Sequence, residues 1–416
     1  MPSQTMAPLA VADSYPDEPL RTYRDRVSRG ISRVLPRLLD RVDEAQAASV
    51  DQVWECFEHL PAEQRGDIAQ HPLFCSWWIK LKSAVAGGDD AGIRRLLPHF
   101  GRFVLIPALR GAVASGSATD LRLDLPLSDR GELRFPGHLR HVVLDGAGPG
   151  HARLRHDGDV LRVDTTDRLW LVPVADLLGP AATDHPLLGT RPAIAGGAIE
   201  VDASDEWFRR FFEGQNARNP LPGYPRRDLA PLEPISRQVV EQLDRALDLL
   251  RSTSPGFASE VEALIKVVSP FRSRLMSTFT DTGFFGTVFI SERLGPFTDT
   301  ALTAEHLLHE ASHHRLTLLM EDDPLIDADP AKLVKSPWRL DPRPLHQILH
   351  GTFVFARIAQ FLGAAVADGG GPELVQRYEA VQHDLRDALR TLDEGGVEYT
   401  PAGRQLRELF GEIVEG

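Results

Sequence analysis

The sequence predicts an α+β fold that is mainly helical, with a β-rich middle. Three observations predict it. Apolar residues recur at helical spacing from about residue 20 to 109, and again from about 235 onward. Between 121 and 199 the pattern changes to short alternating segments punctuated by Asp-Gly and other glycine turns. Late in the chain, Ala304–Met320 carries H-E-x-x-H inside an apolar helical pattern. Four regions follow: a flexible arm (1–20), a helical region (21–110), a β-rich module (111–203) and a C-terminal metal-binding region (204–416).

Composition narrows the function classes. With 416 residues, the chain is long enough for two or three domains, or for one large core with an insertion. Its charge, 46 − 59 = −13, argues against a nucleic-acid partner, whose phosphates it would repel. Cys56 and Cys75 are too few for an iron–sulfur site and imply no disulfide framework. The start, MPSQTMAPLAVADSYPDEP, lacks a signal-peptide pattern, and no apolar run approaches the ~20 residues that span a bilayer. The expectation is a cytoplasmic protein with no membrane partner.

In chain order, residues 1–20 are polar and proline-containing, an arm. Helices follow to about 109, with Pro61 and Pro72 at helix starts and a break at Gly87-Gly88. Trp54, Phe74, Trp77 and Trp78 read as core. The segments LRLDLPL, ELRFPG, HVVLDG, ARLRHDG, VLRVDTTDRLWLVPV and AIEVD read as strands. Residues 204–227 read as a proline-containing connection. Two helices are predicted next, ISRQVVEQLDRALDLLRST and FASEVEALIKVVSPF, separated at Ser254-Pro255-Gly256. Gly286–Ser291 reads as a strand that sets an edge beside the following helix, and Glu292–Asp299 as the loop into it. A second apolar helix runs from about Leu345 to Val366, with amphipathic helices near 372–395 and 401–415.

The candidate chemistry begins with His309 and His313. Four residues apart on a helix, they share one face and can hold one metal ion. The plainer alternative is a buried, hydrogen-bonded pair. A catalytic metal needs a further ligand. The longer H-E-x-x-H-x-x-G-x-x-H pattern fails, because Leu316 and Leu319 occupy its glycine and histidine places. Glu321, Asp322 and Asp323 end the same helix, and Asp327, Asp329 and Asp341 lie in a loop. The better candidates are His350 and His346 on the second apolar helix, with Gly351 allowing a close approach at His350. Three imidazoles suit iron, zinc or copper. The proline-framed segment Pro337–Pro344 adds Arg339 and Arg343, whose planar guanidiniums suit a carboxylate. A chelating dicarboxylate such as 2-oxoglutarate fits that combination; ion pairing to Asp341, Asp327 or Asp329 is the plainer alternative.

These residues, with D-P-L after the motif helix, then P-W-R-L-D-P-R-P and L-H-G, resemble the H-E-x-x-H-motif proteins of ribosomal-peptide biosynthesis clusters. HPLFCSWW (His71–Trp78) and GTVFIS extend the resemblance over about residues 50–365. It implies an Fe(II)- and 2-oxoglutarate-dependent oxygenase that uses dioxygen to hydroxylate the β-carbon of a residue in a ribosomally made precursor peptide. Carried onto this chain, His309, His313 and His350 become iron ligands, and Arg339 and Arg343 become 2-oxoglutarate contacts. Glu310 becomes a neighbour of the metal or a ligand to it. The chain departs from the family pattern at His314-Arg315-Leu316, at His346 and at Val334-Lys335-Ser336. It carries no radical-SAM cysteine motif, so a radical-SAM maturase would be a separate partner. Two rivals stand beside this expectation: a zinc metallopeptidase with Glu310 as general base, and a peptide-binding protein without catalysis.

Overall fold

The computed structural model describes residues 18–116, 121–180, 185–218, 225–293, 295, 297–339 and 341–415. The expected arm therefore falls outside the described residues up to 17. Its last three residues, Glu18 to Leu20, instead open the first helix, where Leu20 is buried.

Six helices come first: α1 (Glu18–Val34), α2 (Glu44–His59), α3 (Ala62–Gln70), α4 (Pro72–Ala86), α5 (Asp90–Leu96) and α6 (Phe100–Ser115). Their ends follow local chemistry. The Asp43 side chain caps α2 at the Gln46 amide, and His71 caps α4, where Pro72 takes the first position. Gly116, at φ 64°, closes α6 in the left-handed conformation. The aromatic core foreseen at Phe74, Trp77 and Trp78 is present, with Trp54 partly buried beside it.

The β-rich stretch contains β1 (Arg122–Leu127), β2 (Glu132–Leu133), β3 (Arg140–Val143), β4 (Gly150–Asp157), β5 (Val160–Asp164), β6 (Leu169–Pro173), α7 (Val174–Leu178), β7 (Leu188–Thr190), β8 (Ala193–Ile194) and β9 (Ile199–Val201). One sheet is antiparallel in the order β1-β4-β5-β6, and a second in the order β2-β3-β7. The 204–227 connection is corrected in part: α8 (Glu206–Ala217) lies there, capped by Asp205 and anchored by Trp207, Phe208 and Phe212.

The third sheet lay beyond the sequence reading. After β10 (Ala230–Pro231), α9 (Arg237–Thr253) and α10 (Pro255–Leu264), the predicted helix through Phe271 stops at Leu264. Val267–Arg272 forms β11, where a β-branched pair and Pro270 disfavour helix. With β12 (Thr278–Phe279) and β13 (Thr287–Ser291), it builds the order β12-β13-β11-β9-β8, with β10 also paired to β11. The strand read as an edge, β13, is therefore interior, and the edge is β12. Alternate residues of β11 and β13 serve two cores. Val267, Phe271 and Phe289 pack with the N-terminal helices and the β-rich module, whereas Val268, Val288 and Ile290 pack with the C-terminal helices.

Those C-terminal helices are α11 (Thr300–Met320), α12 (Leu345–Ala367), α13 (Pro372–Glu394) and α14 (Pro401–Glu415). The ladders β14 (Ile326–Asp327) with β17 (Glu398–Tyr399), and β15 (Leu333–Val334) with β16 (Arg343–Pro344), brace the loop between α11 and α12. In length and composition α12 could cross a membrane, contrary to the sequence reading, yet 67% of its apolar window is buried inside the protein. It is a core helix.

A buried charge network joins the β-rich module to the third sheet. Arg134 meets Asp202 at 3.1 Å, and Arg191 meets Glu200 at 3.1 Å. Burial opposes the charged form of Asp202, but Arg134 and Arg191 outweigh it and hold that carboxyl below its usual range. The same two guanidiniums add to burial in pushing His141 on β3 down to about 4. A neutral His141 thus contributes stability that is complete above its unfolded value near 6.5 and is lost as pH falls toward 4. Urea unfolding of the wild type should lose about 2 kcal/mol more between pH 7 and pH 5 than a His141→Gln variant does; equal losses would show that His141 does not carry this dependence.

Candidate functional site

The motif helix α11 is buried on most of its surface, as a core helix must be. Asp299 caps it at the Leu302 amide, 3.0 Å away. At about 100° per residue, four motif positions divide its circumference: Ser312 lies about 60° to one side of His309, while His313 lies about 40° and Glu310 about 100° to the other. Ser312 meets α12, where Arg357 Nε donates to its hydroxyl at 3.0 Å. Glu310 meets β12, where the Thr278 hydroxyl donates to Oε1. The two histidines therefore face the gap between α12 and the edge strand. Ser312 and Glu310 are buried, whereas His309 and His313 keep accessible surface.

Three predicted ligands come together there. The His309 and His313 rings are 5.0 Å apart, and His350 stands 6.2 Å from His313 across the gap. Among the described residues none of the three rings has a hydrogen-bond partner, so the plainer alternative of a hydrogen-bonded pair is not what the structure holds. Burial disfavours the imidazolium and pushes His309 down to about 3; His313 and His350 are lowered for the same reason. Neutral rings are the form that ligates a metal. With metal–nitrogen bonds of about 2.1 Å, two adjacent imidazole ligands have ring centres roughly 4.5–5.2 Å apart. The His309–His313 spacing meets that range, and the His313–His350 spacing exceeds it by about 1 Å. As the side chains stand, no three His, Cys, Asp or Glu donors among the described residues are grouped closely enough to hold a metal ion. His346, the other third-ligand candidate, is exposed at the start of α12.

Glu310 is poised differently. Burial pushes its carboxyl up to about 7, against the hydroxyls of Thr278 and Thr280. Its Oε2 is buried without a hydrogen-bond partner. An acid with that affinity for a proton is half-ionised near neutrality and can take or give one there.

The arginine loop is placed by an aromatic contact. Trp338 stacks on Phe355 at 4.7 Å, and Phe355 meets the His309 ring edge-on at 5.8 Å. A Cβ on Gly351 would lie 2.3 Å from the Trp338 ring, so the glycine beside His350 serves the tryptophan rather than the metal. Both predicted cosubstrate arginines pair with Asp341: Arg339 Nε at 3.2 Å, and Arg343 through Nη2. Arg339 is exposed. Arg343 is half-buried, donates to Gln347 at 3.1 Å and keeps a buried Nε without a partner. The ion pairing weighed at the sequence level is thus present, and it places neither guanidinium in contact with the histidines.

Sequence reasoning missed the supports. Arg357 is wholly buried; it bonds Glu260 of α10 as well as Ser312, and Arg315 of α11 approaches the same carboxylate at 3.9 Å. A lone arginine seven residues after His350, in an otherwise apolar stretch, was the available signal. Thr278 and Thr280 carried none, because β12 has only two residues. His306, one turn before His309 on the same face, also went unremarked; its Nε2 is buried without a partner.

No family model matches the chain, and no curated protein matches it significantly.

Two substitutions probe this framework. Gly351→Ala should push Trp338 off Phe355, shift tryptophan emission and cost about 1–3 kcal/mol; unchanged emission would contradict the contact. Arg357→Met strands a buried carboxylate and should cost about 3–5 kcal/mol in urea unfolding.

Proposed function

We propose that this chain is an Fe(II)- and 2-oxoglutarate-dependent oxygenase that hydroxylates the β-carbon of a residue in a ribosomally made peptide, acting in the cytoplasm. The observation that carries the reading is the convergence of three neutral, unbonded imidazoles from two helices, His309 and His313 facing His350. The motif resemblance supplies the reaction class. Bound iron with 2-oxoglutarate would supply dioxygen-dependent oxidation of a C–H bond.

The chain's own residues would do the rest. His309, His313 and His350 hold the metal, with His350 closing by about 1 Å from its present position. Phe355 and Trp338 wall one side of the gap and exclude water. Arg343, with its free Nε, is the better placed of the two arginines for the cosubstrate carboxylate, and Asp341 is the group it would exchange. The Thr278 hydroxyl holds Glu310 toward β12, so that Glu310 acts beside the metal rather than on it.

A second reading, a zinc peptidase, is favoured by one observation: Glu310 has a free Oε2 and a proton affinity near neutrality, as a general base needs.

Anaerobic addition of Fe(II) and then 2-oxoglutarate should give a weak visible charge-transfer band that requires both. His313→Ala should abolish the band, and Arg343→Gln should demand roughly tenfold more 2-oxoglutarate. If no band forms while zinc persists through purification, the oxygenase reading fails, and a Glu310→Gln variant that abolishes peptide cleavage would establish the peptidase.

A further inference from the structure

The free edge beside the histidines has a definite polarity. In the antiparallel pair, Thr278 lies opposite Ile290 and Phe279 opposite Phe289. The Ser291 amide donates to the Ser277 carbonyl at 2.7 Å, so the backbone groups of Ser277 and Phe279 point inward to β13. Those of Thr278 and Thr280 then point away from the sheet. Among the described residues no strand pairs with that side, and residues 276–280 are all half-exposed. The side chains of the same two threonines face Glu310. A ladder built on this edge would therefore run alongside the motif helix, about 4.8 Å beyond β12 and over the gap that His309, His313 and His350 share.

We infer that this edge is the docking rail for the substrate: an extended peptide segment adds to β12 as an antiparallel or parallel strand, bonded to the backbone of Thr278 and Thr280. This rests on the peptide substrate of the proposed function. Three features commit the edge to a peptide. Its outward groups offer alternating donors and acceptors with the spacing of a strand backbone and no charge to select a particular side chain. It is continuous with the candidate site, so the bound strand presents alternate side chains to the gap and to solvent. A second copy of the chain is a poor occupant, because an edge this short buries far less than the ~1,000 Å² that a stable interface needs. Backbone pairing of this kind fixes the depth of the peptide relative to the imidazoles and leaves sequence preference to the pockets beside it.

The test uses the full chain, stripped of metal, as bait for a displayed library of random peptides, with affinities of the enriched peptides measured by fluorescence polarisation. Thr280→Pro removes an outward amide and should weaken them about tenfold, whereas Thr280→Val, which keeps the amide and loses the hydroxyl, should not. Single N-methylation along an enriched peptide should weaken binding at every second position; this measurement stands even if the proline variant fails to fold. An absence of enrichment, equal binding to Thr280→Pro, or indifference to N-methylation would overturn the rail. Because no metal is present, a missing charge-transfer band refutes the oxygenase reading without touching this result.

Discussion

One carboxylate fixes how the two helices of the site meet. Glu260 on α10 receives Arg357 from α12 and Arg315 from α11, and Arg357 also bonds Ser312, the neighbour of His313. All four side chains are buried. Burial outweighs both guanidiniums and holds Glu260 above the usual carboxylate range, a measure of how strongly the surroundings exclude water. Such a clamp adds little net stability compared with an apolar core, but it tolerates no sliding, because any shift strands a charge. The spacing of the two helices that carry His313 and His350 is thereby set from behind, on the faces turned away from the gap. Phe257 and Phe353 pack against the Arg357 guanidinium and complete that rear wall.

The front of the site is the inverse of its rear. There three imidazoles lowered by burial lack partners, and a glutamate raised by it keeps one oxygen without a partner. Polar side chains without partners are costly where water is scarce, and their concentration in one gap marks it as built for something other than packing. The same gap carries the edge strand on one wall and the Trp338–Phe355 stack on the other.

Much of the helical frame was legible because periodicity, caps and breakers agreed along long stretches: Asp299 and Pro372 start helices as their chemistry requires, and H-E-x-x-H read directly as one helical face. The third sheet was not legible. Its strands are short, and Val267–Arg272 continues the apolar pattern of the helix before it. Nothing local marks that Ile199–Val201 belongs beside a strand some seventy residues later. At the site, His350 was reached from its place on the second apolar helix and favoured over His346 by the glycine beside it, yet the reason for that glycine lay in Trp338, which only the folded chain brings to it. The arginines show the limit of a loop reading: composition brought them near the site, but partner choice was decided by Asp341 between them.

The pairing of β9 with β11 sets an order on biosynthesis. On a ribosome β9 is made well before the strand it lies against, and β8 can cover only its other side. At about 5–20 residues per second, the delay is roughly 3–14 s. Throughout it, an interior strand of the future sheet has one raw flank. The brevity of β9, three residues ending at the charged cluster of Asp202 and Asp205, limits what that flank can recruit in the meantime. The nascent chain is thus protected by a short strand and nearby charge until its own later half arrives.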